Sequence, residues 1–475
     1  MNFANIEFWI FFVAVFSTYW LLPHKAQNRF LLAASYAFYA AWDWRFLGLI
    51  AFSTIVDYIV GAQLHQNRTS LNRQKLLAIS VSVNMGLLAV FKYFNFFADS
   101  FVDLLNEFGM SADPVTLKII LPVGISFYTF QTMSYTIDIY KKKLKPTENF
   151  FDFALFVAFF PQLVAGPIER ARNLLPNITH KRIVNIEAFS RGVVLCILGL
   201  LKKVVIADGV AVSVNSIYGS PNPSGADVLI ATYLFAIQIY CDFSGYSDIA
   251  RGISKMMGFN LMRNFRQPYF ATNPQEFWQR WHISLSTWLR DYLYISLGGS
   301  HKGTVKTYRN LMITMALGGL WHGAAWNYIL WGIYQGTLLC IHRMYSSFIR
   351  LPYRPPMAYQ RIINFLKIIF FLHFVLYGWL LFRANSFLQI QLFSEKLFLI
   401  QLNQFSHLSI PTPPIAVFIG LGLLALWELL DEWHDNPKFY ISWPTPVRAA
   451  LYGSIIYTIG MGASQTTSDF IYFQF

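Results

Sequence analysis

The stretch LMITMALGGLWHGAAWNYILWGIYQGTLLC, residues 311–340, decides the fold of this chain. Its 30 residues include no Asp, Glu, Lys or Arg, and the middle of the run holds His322. About 20 apolar residues cross a membrane as a helix, so two full crossings need about 40. Because basic residues flank the run on both sides, we predict a broken, inward-dipping hairpin hinged at Gly318-Gly319 or at Gly323.

His322 has two interpretations. Ionisable groups at membrane depth are costly to bury, and by default they mark a functional site. A lone histidine on an apolar helix is also often a structural residue whose polar atoms are satisfied by its neighbours. The position of His322 in the run leaves both interpretations open.

The chain has the composition of an integral membrane protein. Of its 475 residues 55% are hydrophobic and 13% are charged, whereas soluble domains carry about 25% charged residues. Its apolar runs are continuous and do not alternate as the strands of an outer-membrane barrel do. We therefore predict an all-α polytopic protein, a single domain over residues 1–475 with about ten to twelve spanning or dipping helices. The net charge of +13 is typical of basic cytoplasmic loops, and we expect contact with membrane lipid and none with nucleic acid.

The distribution of charge predicts the orientation of the chain. Residues 24–29 form a short basic loop, which predicts a cytoplasmic position, whereas residues 99–116 are acidic and are expected outside. This alternation predicts an extracytoplasmic N-terminus and an extracytoplasmic C-terminal tail at about residues 464–475.

Two segments depart from the simple alternation. The apolar run 150–165 leads into a basic loop, so we predict a re-entrant segment that ends at Gly166-Pro167. Residues 248–310 contain nine Lys or Arg and three Asp or Glu. We expect this segment to form amphipathic helices at the cytoplasmic face.

Two tryptophan–histidine pairs carry the candidate chemistry, Trp281-His282 and Trp321-His322. We expect the two histidines to meet at the floor of a cavity, one as general base and the other as a hydrogen-bond donor to a carbonyl oxygen. His282 is alternatively a plain interfacial residue of an amphipathic helix. Neither a metal-binding spacing nor a serine-hydrolase elbow is present, and we expect no metal and no bound prosthetic group.

Five long motifs follow one another along the chain. They are LPVGISFYTFQTMSYTIDIY (residues 121–140), FFPQLVAGPIER (159–170), YCDFSGYSDIARG (240–252), NFRQPYFATNPQEFWQRWHISLSTWLRDYLYISLGGS (264–300) and GGLWHGAAWNYILWG (318–332). In this order they resemble the membrane-bound O-acyltransferase superfamily, and specifically its bacterial alginate O-acetyltransferase branch. The resemblance covers nearly the whole chain and predicts a catalytic core at about residues 119–345.

The resemblance implies a helical bundle around a funnel or tunnel, with the active histidine at its narrow point. His322 matches the near-invariant histidine of the family, and His282 matches the second polar position that precedes it. The implied donor is cytoplasmic acetyl-CoA, and the acetyl group decorates an exported polysaccharide such as alginate. A periplasmic partner of the SGNH-hydrolase type and the polysaccharide export machinery complete the transfer, which implies a bacterial inner (plasma) membrane protein. Further residues are expected to orient or pack the histidines: Gln279, Trp281, Asp291, Trp321, Trp326 and Asn327.

Other polar side chains of the motifs have less specific expectations. Arg263, Arg266 and Arg280 are candidates to attract the phosphates of coenzyme A, or they are ordinary basic residues of a cytoplasmic face. Asp242 either lines the tunnel or satisfies buried backbone groups.

The C-terminal sequence SDFIYFQF places Tyr472 among apolar residues. It resembles the tyrosine-containing tail of the small partner peptide in teichoic-acid D-alanylation systems, which implies that Tyr472 is an acyl relay on the outer face. An aromatic anchor at the membrane interface is the alternative.

Other functions remain open. The same core would serve the transfer of D-alanine or the O-acetylation of peptidoglycan, because the shared motifs do not identify the acceptor. A proton-coupled transporter or channel is the alternative from another class, although we find no internal repeat of the kind that transporters often show.

Overall fold

The structure, a computed structural model, describes residues 3–67, 69–110, 119–301, 303–348, 357–462 and 470–471. These residues form helices joined by loops, with no β-strand among them, so the predicted all-α class is confirmed. Packing divides the chain into two compact units, Met1–Val193 with Ala250–Met262, and Val194–Ile249 with Arg263–Phe475.

The α-helices are, in chain order, α1 (Ile6–Leu21), α2 (His24–Asp43), α3 (Leu47–Gln66), α4 (Ser70–Leu88), α5 (Phe94–Glu107), α6 (Ile125–Tyr140), α7 (Phe150–Ala158), α8 (Phe160–Leu163), α9 (Ala171–Thr179), α10 (Ile186–Leu200), α11 (Asp208–Tyr218), α12 (Gly225–Met256), α13 (Pro274–Arg280), α14 (Ile283–Trp288), α15 (Thr304–His322), α16 (Trp326–Phe348), α17 (Met357–Arg383), α18 (Phe387–Phe398), α19 (Ile415–His434) and α20 (Thr445–Gly462). Short 3-10 helices lie at Trp44–Phe46, Pro268–Phe270, Leu402–Ser406 and Phe439–Ser442. Wider π-helical turns lie at Ala89–Tyr93, Leu201–Ala207 and Leu289–Tyr294.

Four helical segments of the described residues are long and apolar enough to cross a membrane. A helix rises about 1.5 Å per residue, so about 20 residues cross a hydrocarbon layer of about 30 Å. The four segments are His24–Gln66, Ser70–Glu107, Gly225–Met256 and Tyr359–Arg383. Their number confirms the prediction of a multi-pass membrane protein.

Two predicted loops of the first unit are helical. Residues 24–29, expected as a basic loop, form the first turns of α2, which begins directly after Pro23. The acidic region that begins at Asp99 continues α5 as far as Glu107. Asp99, Asp103 and Glu107 recur at intervals of four residues, so they share one face of the helix, and all three are exposed. The distribution of charge predicted a loop from residue 99, whereas the helix continues to Glu107.

The segment predicted as re-entrant is broken into two short helices within the first unit. α7 has nine residues, or about 14 Å of length, which is too short to cross a membrane. The chain leaves the helix at Phe159, re-forms it in α8 and ends it at Leu163, ahead of the predicted end at Gly166-Pro167. Side chains replace the lost helical bonds, because Ser35 Oγ accepts the Phe160 N–H at 3.1 Å.

The uncharged run, residues 311–340, folds as a hairpin of α15 and α16, with its hinge at residues 323–325. The predicted hinge at Gly323 is confirmed, whereas Gly318-Gly319 lies inside α15. Both helices continue beyond the apolar run into flanking charged residues, so they reach 19 and 23 residues and are longer than expected. Gly319 and Gly332 face each other across the hairpin, and a Cβ added at Gly319 would lie 3.1 Å from the Gly332 Cα.

The predicted interfacial segment, residues 248–310, is only partly made of short helices. Its first nine residues complete α12, and its last seven belong to α15. The short helices α13 and α14 lie between them, and a π-helical turn, Leu289–Tyr294, continues α14. Charged residues thus belong to two long helices: α12 ends later, and α15 begins earlier, than the distribution of charge predicted.

Replacing Gly319 or Gly332 by alanine is expected to destabilise the hairpin. The added Cβ would lie 2.1 Å from the Tyr328 carbonyl oxygen in the first case and 2.3 Å from the Met315 carbonyl oxygen in the second. The helices must then separate, and overpacking of this kind costs about 1–3 kcal/mol. The midpoint temperature of thermal unfolding of the detergent-solubilised protein measures the loss.

The matched control is Gly453→Ala in α20, where an added Cβ meets no heavy atom within 4 Å. Alanine favours a helix over glycine by about 1 kcal/mol, so this variant should unfold at the same temperature as the unsubstituted chain or higher. Equal midpoints for the hairpin variants and the control would contradict the close contact.

Candidate active site

The structure brings the two predicted histidines together. His322 is the last residue of α15, and His282 lies in the turn between α13 and α14. Their ring centroids are 6.3 Å apart, and the ring planes meet at 56°. His282 is 0% exposed and His322 is 3% exposed. Residues that are far apart in the sequence therefore form one buried pair.

The backbone of His282 has a conformation that is uncommon for any residue except glycine. Its φ of 40° and ψ of 54° lie in the left-handed region. Asn264 holds the next two residues, because its carbonyl oxygen accepts the Ile283 N–H at 2.9 Å and its Oδ1 accepts the Ser284 N–H at 3.1 Å. Such a conformation costs about 1–3 kcal/mol and is concentrated at functional sites, where the surroundings enforce it.

Aromatic rings enclose the histidine pair. The Trp321 and Trp331 rings each lie 5.1 Å from the His322 ring and meet it at a steep angle. Trp321 is also 5.8 Å from His282, and Phe243 packs edge-on against His282 at 4.6 Å. Burial in this shell, and secondarily the neighbouring His322, hold the pKa of His282 well below its usual value. His282 is therefore a neutral imidazole at neutral pH.

A cavity of about 550 Å³ reaches the pair from one side. His322 is part of its wall, whereas His282 is not among the lining residues. The cavity follows α16 from Trp331 to Ser346, a distance of about 22 Å at the rise of a helix. It thus has an aromatic end at His322 and a second end more than three helical turns away.

The far end of the cavity is basic. Arg290, His342 and Arg343 line it, and the Arg290 side chain is 60% exposed. Asp291 forms an ion pair with Arg290 at 2.7 Å, so the predicted supporting residue Asp291 contacts this arginine. Gln279, another predicted supporting residue, lines the same cavity.

Two further tryptophans of the cavity wall, Trp278 and Trp331, were missed by the sequence analysis. Their indole Nε1 atoms are buried and meet no acceptor within the part of the chain that the structure describes. A buried N–H without an acceptor costs about 1–3 kcal/mol, and the oxygen of a bound molecule would remove that cost. Both residues belong to the motifs that contain the two histidines, and this position in the motifs was the signal that could have identified them.

The other predicted supporting residues differ in how close they lie to the pair. Trp281 lies against Trp379 at 4.7 Å between ring centroids and is fully buried. Asn327 donates to the Phe382 carbonyl oxygen at 3.3 Å, and the Phe382 ring is 5.6 Å from that of His322. Asn327 thus holds a neighbour of His322. Trp326 begins α16 and is 51% exposed.

The three arginines proposed for coenzyme A take part in ion pairs with acidic residues at the end of α19. Arg263 contacts Asp431 at 2.7 Å, and Arg266 contacts Asp435. Arg280 forms a bidentate pair with Glu432, at 2.8 Å for each bond. None of these arginines lines the cavity beside His322. Their contacts fit a structural role. The basic side chains that line the cavity are instead Arg290, His342 and Arg343.

The proposed relay residue, Tyr472, lies outside the described residues. The two residues before it, Phe470 and Ile471, are buried within the second unit. The Ile471 N–H donates to Asp242 Oδ2 at 2.7 Å. Asp242 therefore satisfies a buried backbone group, as one of its two interpretations predicted.

Within the described ranges no group of three or more His, Cys, Asp or Glu side chains is arranged to hold a metal ion. Cys196 and Cys241 are buried free thiols, and Cys340 is a partly buried one.

Comparison with known proteins identifies the family of this chain. The profile of the membrane-bound O-acyltransferase family matches residues 141–386. The probable alginate O-acetylase of Azotobacter vinelandii is 43% identical, over 81% of this chain and 75% of the relative. The Pseudomonas putida protein of the same name is 38% identical over 99% of both chains, and the peptidoglycan O-acetyltransferase of Helicobacter pylori is 35% identical over 78% of this chain and 74% of the relative. The chain belongs to the membrane-bound O-acyltransferase family.

Proposed function

We propose that this protein is a membrane O-acetyltransferase that takes an acetyl group from cytoplasmic acetyl-CoA for the O-acetylation of an exported polysaccharide such as alginate. The observation that carries the proposal is the buried His322–His282 pair, with His322 in the wall of a cavity. Family membership supports acyl transfer over the transporter alternative. The names of the relatives from Azotobacter and Pseudomonas support acetyl as the group and alginate as the acceptor.

In this proposal His322 is the general base. Its neutral imidazole takes the proton of the acceptor hydroxyl while the hydroxyl oxygen attacks the thioester carbonyl carbon. The tetrahedral intermediate collapses as the C–S bond breaks, and the imidazolium returns the proton to the coenzyme A thiolate. His282, the second predicted catalytic histidine, lies beside His322 outside the cavity wall and stays neutral because its pKa is lowered. The pair therefore carries only one positive charge during the transfer.

The tryptophans of the site have two proposed roles. The indole N–H groups of Trp278 and Trp331 hydrogen-bond the carbonyl oxygen of the acyl group, where negative charge develops in the transition state. Trp321 packs against both histidines and limits the movement of their rings. Trp281 packs against Phe265, a neighbour of His282, and supports the pair indirectly. Supporting side chains of this kind hold catalytic groups in their productive geometry.

The cavity is the proposed site of the thioester donor. Its aromatic end accommodates the acetyl group beside His322, and its basic end carries Arg290 and Arg343 where the phosphates of coenzyme A would lie. Guanidinium groups bind phosphate by charge and by paired hydrogen bonds. Gln279 contacts the donor between these two ends. Asp291 positions the Arg290 side chain at the basic end.

The rest of the pathway follows the expectations drawn from the family. We place residues 1–475 in the bacterial inner membrane as one acyltransferase domain, with the N-terminus and the C-terminal tail extracytoplasmic. Tyr472 accepts the acetyl group on its phenolic oxygen and passes it to a periplasmic SGNH-type acetyltransferase partner beside the export machinery. Support comes from the buried position of Phe470 and Ile471, the residues directly before Tyr472.

Peptidoglycan is the second candidate acceptor. The Helicobacter pylori relative is named as a peptidoglycan O-acetyltransferase and matches most of this chain. Ester analysis of both the exported polysaccharide and the purified peptidoglycan of the host separates the two acceptors.

Replacing His322 by alanine is expected to lower acetyl ester on the host's exported polymer by about 100-fold or more, because a general base contributes about 10²- to 10⁴-fold. The measurement is ester released by mild alkali, normalised to the amount of protein inserted in the membrane. His407→Ala, at an exposed histidine far along the chain, is the matched control and should retain full ester. Equal ester in the two variants would rule out a catalytic role for His322.

Replacing Arg343 by alanine is expected to raise the KM for acetyl-CoA about tenfold with little change in kcat. One phosphate contact of about 1.4 kcal/mol accounts for that factor, and higher salt should reduce the difference. Donor consumption by solubilised protein measures both constants. The exposed Arg45→Ala variant serves as the control, and an unchanged KM in the Arg343 variant would contradict donor binding at this end of the cavity.

Replacing Tyr472 by phenylalanine is expected to abolish polymer acetylation, since the phenolic oxygen that accepts the acetyl group is lost. Binding of acetyl-CoA should not change, because the phenol takes no part in it. Tyr457→Phe removes a hydroxyl from an exposed tyrosine of α20 and should have no effect. Full acetylation by the Tyr472 variant would overturn the relay.

A further inference from the structure

The carboxylate of Asp242 serves two different donors inside the second unit. Its Oδ1 forms an ion pair with Lys203 Nζ at 2.7 Å. Its Oδ2 accepts the backbone N–H of Ile471 at 2.7 Å. The Asp242 and Lys203 side chains are almost fully buried. One side chain thus connects a buried charge to the end of the chain, 229 positions away in sequence.

Lys203 is held by a second carboxylate as well. Asp208 Oδ1 accepts from Lys203 Nζ at 2.9 Å, and both side chains are 1% exposed. Lys203 lies in the π-helical turn Leu201–Ala207, and such turns are frequent at functional sites. Burying three charged groups is expensive, and apolar residues of similar size often replace such clusters without loss of stability. Stability alone is therefore a weak reason for this arrangement.

Phe470 and Ile471, which we call the C-terminal segment, are also held by aromatic contacts at the turn of α12 that carries Asp242. The Phe470 ring lies 4.8 Å from the Tyr246 ring and 5.9 Å from the Phe243 ring. Phe243 follows Asp242 directly and also packs against His282, at 4.6 Å. The segment is thus docked one aromatic ring away from the histidine pair.

We propose that Asp242 is the docking residue of the C-terminal segment, with Lys203 holding the other oxygen of its carboxylate. The bond to Ile471 is made by the backbone, so it fixes the path of the chain and does not depend on the side chain at position 471. The anchor point lies immediately before Tyr472. Docking itself is independent of the proposed function, and only its effect on acyl transfer rests on the relay role of Tyr472.

An aspartate is needed at position 242 because two donors require two oxygens. Asparagine has the same shape but only one acceptor oxygen, and charge-assisted bonds are the stronger ones, so Lys203 would take it. The amide NH₂ would then face the Ile471 N–H, donor against donor. Asp242→Asn therefore releases the segment and leaves the volume of the side chain unchanged.

A reporter thiol tests this docking in the full-length protein. Ile471→Cys places a thiol at a buried position, and Cys340→Ser removes the partly exposed native thiol. In detergent-solubilised protein the reporter should react slowly with a maleimide. Adding Asp242→Asn is expected to raise its reaction rate about tenfold or more, as the loss of a hydrogen bond to a charged group implies.

Asp208→Asn is the matched control, because it removes one carboxylate charge beside Lys203 and leaves both oxygens of Asp242 and the Ile471 N–H in place. Its reporter should remain protected, and the unfolding midpoints of the two variants identify any general loss of fold. Equal protection in the Asp242 and Asp208 variants would overturn the docking role.

A second pair of variants leaves the buried charges intact. Ile471→Pro removes the donating N–H, whereas Ile471→Val keeps it. Proteolytic trimming of the C-terminus should be faster in the proline variant, with no change in the KM for acetyl-CoA, and equal trimming in both would overturn the proposal. Faster trimming with full polymer acetylation would support docking and overturn the relay role of Tyr472.

Discussion

The close backbone contact inside the α15–α16 hairpin is the constraint on which the site depends. Gly319 and Gly332 let the two helices approach until an added methyl group would collide with a carbonyl oxygen. Because α15 ends at His322, this contact places the imidazole at the tip of the hairpin. The cavity then follows the second helix away from the ring, so one packing contact determines both the position of His322 and the direction of approach to it.

The aromatic shell determines what the histidines can do. Both rings are almost fully buried, so a charge on them is weakly screened and costly, and a neutral imidazole is favoured. The left-handed backbone of His282, and the bonds that Ile283 and Ser284 donate to Asn264, place the second ring against the first. A base that is neutral and held in place is suited to take a proton from a hydroxyl as that hydroxyl attacks a thioester.

Much of this arrangement was predictable from the order of residues. The uncharged run and its glycines predicted a hairpin hinged at Gly318-Gly319 or at Gly323, because a helix needs a certain length of apolar sequence and a flexible residue where it turns. The structure has the hinge at the second of these positions. Helix ends were less predictable, since acidic residues spaced by four, as at Asp99 and Asp103, continue a helix as readily as they form a loop. The indole groups of Trp278 and Trp331 were missed because periodicity does not distinguish a packing ring from one that lines a cavity.

The sequence by itself determined the helical class, the membrane character and the family, since these follow from composition and from motifs contiguous along the chain. Only the tertiary structure decided which polar groups meet. It paired Arg280 with Glu432 and left Arg343 at the cavity, and it joined Asp242 to Lys203 and to the backbone of Ile471. The physical reason is that an ion pair or a hydrogen bond depends on distances of about 3 Å, and packing between distant segments sets those distances.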